Sequence, residues 1–254
     1  MDKQILNVGG IEVHYFTSND NKSNPLIFIT HGRNGTIDSM FGFSKELSQM
    51  GFNIIAVEQR NHGKRLIDKN ANMSNINMAV DMYSIFIGTA MDISLLIDAL
   101  FIKYNFTPTK IGVSGISLGG HATIMAMNLD KRIDVGVAFI GSGDYNTLMD
   151  YRKEKLELSQ SEKNIFYSDK MKQWIKRTDP INNPAIFGNR PLLMLNGEAD
   201  DLVQLDCNNK FFEKIKGYYD NPEMLKLKTY PNIKHQVISD MYIESKNWFK
   251  KWMK

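Results

Sequence analysis

The chain has 254 residues, 43% of them hydrophobic and 23% charged, with a formal net charge of +3. Those values allow a full-sized globular core, and the basic residues are scattered among acids instead of forming a stripe, which argues against nucleic acid as a partner. A single cysteine, Cys207, excludes an intrachain disulfide, and Met1 to Asn7 carry no apolar signal core, so a cytoplasmic protein is expected.

Short apolar runs alternate with longer helical patterns. Ile11 to Phe16 alternates like an edge strand, and Leu26 to Thr30 is a continuous apolar run, as a strand covered on both faces requires. Phe41 to Met50 reads as a helix closed by Gly51, and Asn53 to Val57 as the next buried strand. The most apolar stretch, Tyr83 to Tyr104, lies in a helical pattern over residues 78–104. Asp92 and Asp98 interrupt it, so no membrane insertion is expected. Strands follow at Ile111 to Ser114, Val135 to Ile140, Pro191 to Leu195 and Leu225 to Tyr230, with a helix at Leu118 to Leu129. A last helix, from about Ser239 to Trp252, interleaves Trp248, Phe249 and Trp252 with lysines, the pattern of a docked helix with one solvated face.

Such alternation predicts one α/β domain over 1–254, a mostly parallel twisted sheet flanked by helices. The interval between Ile140 and Pro191, about 50 residues, exceeds what a crossover needs. Its charged helical stretch, Asp150 to Trp174, predicts a small helical cap, 144–188, over the C-terminal edge of the sheet, where open α/β folds bind ligands.

The chemistry centres on Gly115-Ile116-Ser117-Leu118-Gly119-Gly120. Glycines weaken a strand end and a helix start alike, so their cost needs a reason. A Gly/Ser loop is the plain reading. The functional one is a nucleophile elbow, G-x-S-x-G, in which a serine occupies a sharp strand-to-helix turn. A serine hydroxyl then needs a histidine to take its proton and an acid to orient that histidine. Of His14, His31, His62, His121 and His235, only His235 comes late enough for the order Ser…Asp…His. Asp200, in the loop Asn196 to Val203 after a buried strand, is the preferred acid; Asp201 and Asp144 are the alternatives, Asp201 having a second reading as the acid before a helix at Asp206 to Ile215. The backbone N–H groups of Leu118 and Arg33 are the candidate oxyanion donors, Arg33 lying in the loop His31-Gly32-Arg33 after an early strand.

With these parts in order, the chain resembles the α/β-hydrolase family over nearly its whole length, through His31-Gly32-Arg33, Arg60-Asn61-His62-Gly63, Gly115 to Gly120, Gly197 to Val203 and His235. Gly141-Ser142-Gly143 is similar to small bacterial serine carboxylesterases near the dienelactone-hydrolase and prolyl-oligopeptidase branch. The resemblance implies a Ser117, Asp200 and His235 triad and a structural role for His62. It implies hydrolysis of small, short-chain esters through an acyl-enzyme, with no cofactor or metal and a small-molecule ester as the only partner. A homodimer is allowed but not specified. Arg33 stands where relatives often carry an apolar residue or glycine, so the pocket is expected to be polar or to favour an acidic group, with Arg33 and Asp144 as candidate substrate contacts. Thioester, amide or peptide cleavage on the same triad, or ligand binding without catalysis, are the alternatives; 254 residues leave no room for the large extra domain expected of a prolyl-oligopeptidase-type peptidase.

Overall fold

The computed structural model describes residues 3–66, 75–155, 164 and 168–254. Its strands are β1 (Gln4–Val8), β2 (Ile11–Phe16), β3 (Leu26–Thr30), β4 (Asn53–Val57), β5 (Ile111–Ile116), β6 (Val135–Phe139), β7 (Leu192–Gly197) and β8 (Leu225–Tyr230). Its helices are α1 (Phe41–Gln49), α2 (Asn75–Tyr104), α3 (Leu118–Leu129), α4 (Tyr145–Lys155), α5 (Asp169–Thr178), α6 (Leu205–Ile215) and α7 (Ser239–Met253). The strands form one sheet in the order β1-β2-β4-β3-β5-β6-β7-β8. β1, β2 and β4 pair antiparallel, and the pairings from β4 across to β8 are parallel.

The period of two divides the core. Phe28, Ile55, Val57 and Met194 face one side and join Ile93, Leu96 and Ile97 of α2 and Met125 of α3. Ile27, Ile29, Ile54 and Leu195 face the other, with Phe43 and Leu47 of α1 and Trp248 and Phe249 of α7. Burying each such side chain contributes about 1.5–3 kcal/mol, and because both faces are covered the central strands need no polar alternation. Residues 82–104 are long and apolar enough to cross a membrane, yet they form this core layer, and their acids are paired. Asp92 accepts from Arg60 at 2.9 and 2.6 Å and from Arg65 at 2.8 Å, and Asp98 pairs with Arg132. The last helix docks as expected, Trp248 and Phe249 inward and Lys250 outward.

One expectation is corrected. Ile11–Phe16 is not the edge strand, because β1 lies outside it and its last four residues are buried. The missed signal is Gly9-Gly10, whose φ values of +61° and +88° form the two-residue turn that closes Val8 onto Ile11.

Between β6 and β7 the predicted insert contains α4 and α5; residues 156–163 and 165–167 of the stretch expected to be helical lie outside the described residues. Two carboxylates hold the start of α4. Asp144 accepts from Thr147 N–H at 3.0 Å, and the buried Asp179 accepts from the N–H groups of Tyr145 and Asn146 at 3.1 and 3.0 Å. Burial pushes the Asp179 carboxyl up to about 7, against the opposing pull of those N–H donors.

Two measurements check this packing. A Cβ at Gly120 would lie 2.5 Å from the Phe139 carbonyl oxygen, so Gly120→Ala should destabilise by about 1–3 kcal/mol in urea unfolding. Gly42 of α1 has nothing within 4 Å of that position, and Gly42→Ala should stabilise by about 0.4–1 kcal/mol. The folded protein holds the Asp179 proton more tightly than the unfolded chain does. Its contribution is therefore present below the ordinary carboxylate value of 3.8 and lost as pH rises through about 7. Asp179→Asn should flatten the fall in unfolding free energy between those limits, measured against wild type.

Candidate active site

β5 runs straight into α3 through Ser117, whose φ of 55° and ψ of −108° lie outside the regions that serine favours. The surroundings hold it there. Ser117 N–H donates to the Phe139 carbonyl at 2.8 Å, and the Ser117 carbonyl accepts from His121 N–H at 2.9 Å, opening the helix. Gly115 is required by proximity, since a Cβ would fall 2.3 Å from Thr30 Oγ1 and 2.4 Å from the Gly119 carbonyl oxygen. The turn therefore presents the Ser117 side chain at the C-terminal rim of the sheet.

The loops after β7 and β8 bring the other two groups to that rim. Glu198 N–H donates to the Tyr230 carbonyl and Ala199 N–H to the Ile233 carbonyl, both at 3.0 Å, which ties the acid loop to the histidine loop. Ser117 Oγ lies 2.8 Å from His235 Nε2, and His235 Nδ1 lies 2.8 Å from Asp200 Oδ2. Asp200 Oδ1 accepts from Leu202 and Val203 N–H, both at 2.9 Å, so that carboxylate is fixed by its own loop while its other oxygen faces the imidazole. Its side chain is fully buried and that of His235 is 17% exposed, which leaves the histidine within reach of a bound molecule. Asp201 is exposed, and Asp144 caps α4; the carboxylate that meets His235 is that of Asp200.

Around the serine, Leu118 is the first residue of α3, where backbone N–H groups are unspent and the helix dipole favours negative charge. The Gly32 loop comes close: a Cβ at Gly32 would lie 3.3 Å from the Ile116 carbonyl oxygen and 3.7 Å from Ser117 Cβ, which brings the neighbouring Arg33 backbone to the same place. That loop is braced by His31, fully buried, with Nδ1 2.7 Å from the Gly32 carbonyl and Nε2 2.5 Å from Glu58 Oε1. Gln59 Nε2 donates to the His31 carbonyl. His62 packs edge-on to His31 and contacts the Arg60 carbonyl at 3.0 Å, a structural placement as the sequence reading had it.

His121, which sequence order set aside, lies one turn beyond Ser117 among Phe86 and Tyr145. Burial drives its imidazole down to about 3, so it is neutral. Its Nδ1 lies 3.0 Å from the Ser142 carbonyl oxygen and 3.1 Å from the Ser142 nitrogen, so the Ser142 backbone holds that ring nitrogen. Cys207 is buried, and burial pushes its thiol up to about 12, too high for a nucleophile at neutral pH. Among the described residues no group of three or more His, Cys, Asp or Glu side chains could hold a metal ion.

Known proteins share this fold. YitV of Bacillus subtilis, a provisionally named esterase, is 25% identical over 252 residues, covering 97% of each chain. Among solved structures, TT1662 from Thermus thermophilus superposes with a TM-score of 0.79 at 18% identity, over 100% of this chain and 98% of that one. The Pyrococcus furiosus esterase Pf2001 superposes with a TM-score of 0.64 at 17% identity, over 100% of this chain and 93% of that one. The fold is that of the α/β-hydrolases. The sequence profile of the prolyl oligopeptidase family matches residues 88–254, a span that takes in Ser117, Asp200 and His235. The chain belongs to the prolyl oligopeptidase family of serine hydrolases.

Proposed function

We propose that the protein is a carboxylesterase acting on small, short-chain esters, with Ser117 as nucleophile, His235 as general base and acid, and Asp200 as the group that orients His235. One observation carries the reading: the unbroken hydrogen-bonded chain from Ser117 Oγ through both nitrogens of His235 to Asp200, at 2.8 Å for each link. As Ser117 Oγ attacks the ester carbonyl, its proton passes to His235 Nε2, and the imidazolium is stabilised by the buried Asp200 carboxylate. The carbonyl oxygen becomes an oxyanion, which the Leu118 and Arg33 N–H groups stabilise; each donor in such a pair is worth about 10²–10³ in rate. His235 then gives the proton to the departing alkoxide. Water attacks the acyl-enzyme by the same route in reverse and frees the acid.

Amide or thioester cleavage would use the same steps, and the esterase name carried by YitV, which spans the chain end to end, favours the ester. The helices α4 and α5 serve in this reading as a cap. They leave the sheet after β6, at the rim that carries Ser117, which supports that role.

Ser117→Ala should lower kcat on p-nitrophenyl butyrate by about 10⁴–10⁶ with an unchanged circular dichroism spectrum, and near-normal turnover would remove Ser117 from the mechanism. Asp200→Asn should cost about 10³–10⁴ in kcat, because an amide there leaves His235 in the wrong tautomer. Asp201→Asn should stay within about threefold of wild type, since an exposed carboxylate holds no part of the relay. The opposite ranking of those two variants would move the acid by one position.

A further inference from the structure

Beside the serine lies a set of hydrogen-bond donors that ester hydrolysis itself does not use. Arg152 of α4 is half-buried, and its Nη1 has only the Met82 thioether, at 3.0 Å, as a hydrogen-bond acceptor. No carboxylate among the described residues pairs with it. Burial pulls its guanidinium below the ordinary arginine value; its closest electrostatic neighbours are Tyr83, Arg33, Cys207 and Asp200, a second cation among them. Among the described residues the hydroxyl of Tyr83, on α2, is buried without a hydrogen-bond partner, and so is Nε2 of His121. The Tyr83 and His121 rings both pack on Phe86 and Tyr145, with centroids 4.6–5.7 Å apart, so they belong to one aromatic cluster. Tyr145 itself is spent, donating to the His121 carbonyl at 3.0 Å.

An unpaired arginine taken partly out of water is costly unless an anion joins it, and an unpaired buried N–H or O–H costs about 1–3 kcal/mol. Burial holds the Tyr83 phenol well above its ordinary value, so its hydroxyl keeps its proton and acts as a donor at neutral pH. The Arg152 guanidinium and the Tyr83 hydroxyl are donors that suit an oxyanion, and Arg152 offers the planar fork that matches a carboxylate. His121 is one turn from Ser117 and its N–H is bonded to the Ser117 carbonyl, which sets the aromatic cluster beside the elbow.

We infer that the substrate is an ester bearing a carboxylate on one of its two halves, bound by Arg152 with Tyr83 Oη as a supporting donor. This rests on the ester-hydrolase reading above. Arg152 is a specificity-determining residue in it and takes no part in bond making.

The test has two readouts. Hydrolysis is followed by pH-stat for monoethyl glutarate beside ethyl valerate, and for acetoxyacetate beside propyl acetate, which separates a carboxylate on the acyl half from one on the alcohol half. Binding of glutarate is followed by calorimetry. One charged ester should exceed its neutral counterpart by about tenfold to a hundredfold in kcat/KM. Glutarate should bind the wild type. Arg152→Gln should bring the charged-to-neutral ratio close to one and abolish glutarate binding, and Arg152→Lys, which keeps the charge without the fork, should retain part of both. Hydrolysis of neutral and charged esters at equal kcat/KM overturns the carboxylate site and leaves the esterase reading intact. Arg152-dependent glutarate binding with no ester hydrolysed upholds the site and overturns the esterase reading.

Discussion

The left-handed backbone at Ser117 is the constraint on which the rest depends. A φ of 55° at a residue with a side chain stores strain of about 1–3 kcal/mol, and the structure around it must repay that. Repayment comes from both neighbours of β5: Phe139 of β6 accepts the Ser117 N–H, and Thr30 of β3 touches the Gly115–Gly119 turn. Such contacts are short enough to forbid a Cβ, so the glycines exist to let three backbones meet, and the serine stands at their meeting point. The loop of Gly32 then has room to reach the same point.

A second layer of order is electrostatic. Asp200 is held in a buried place because two backbone N–H groups of its own loop satisfy one oxygen, leaving the other for His235. The histidine is positioned by a loop whose carbonyls accept from the acid loop, so the two cannot shift independently. By contrast, among the described residues Arg152 has no carboxylate partner and Tyr83 Oη has no hydrogen-bond partner.

Much of this was legible in the sequence, for identifiable reasons. Strands covered on both faces read as continuous apolar runs, and Leu26–Thr30 and Asn53–Val57 appear with the bounds expected of them, as does the half-exposed edge strand Leu225–Tyr230. Order along the chain was enough to select His235, because the acid and histidine loops follow successive strands at the same rim. Local pattern says little about β1, where Gln4 and Asn7 dilute five residues and only the Gly9-Gly10 turn marks the hairpin. It also says nothing of partners distant in sequence. Asp92 looked like an interruption in an apolar helix and is the anchor for Arg60 and Arg65, 32 and 27 residues away. Asp144 looked like a candidate acid or substrate contact and is the cap of α4. Tyr83, His121 and Arg152 lie on three different helices, so their convergence is a product of the fold, with no spacing to announce it.

The central claim is that Ser117 is activated by its neighbours in the folded protein. Incubation with a fluorophosphonate reagent, followed by intact-mass and peptide mass spectrometry, tests that activation without assuming a substrate. The account predicts a single adduct on the peptide carrying Ser117, formed by the folded protein and suppressed by prior denaturation or by His235→Ala. A folded protein that takes up no reagent, or takes it up on another residue, would contradict it.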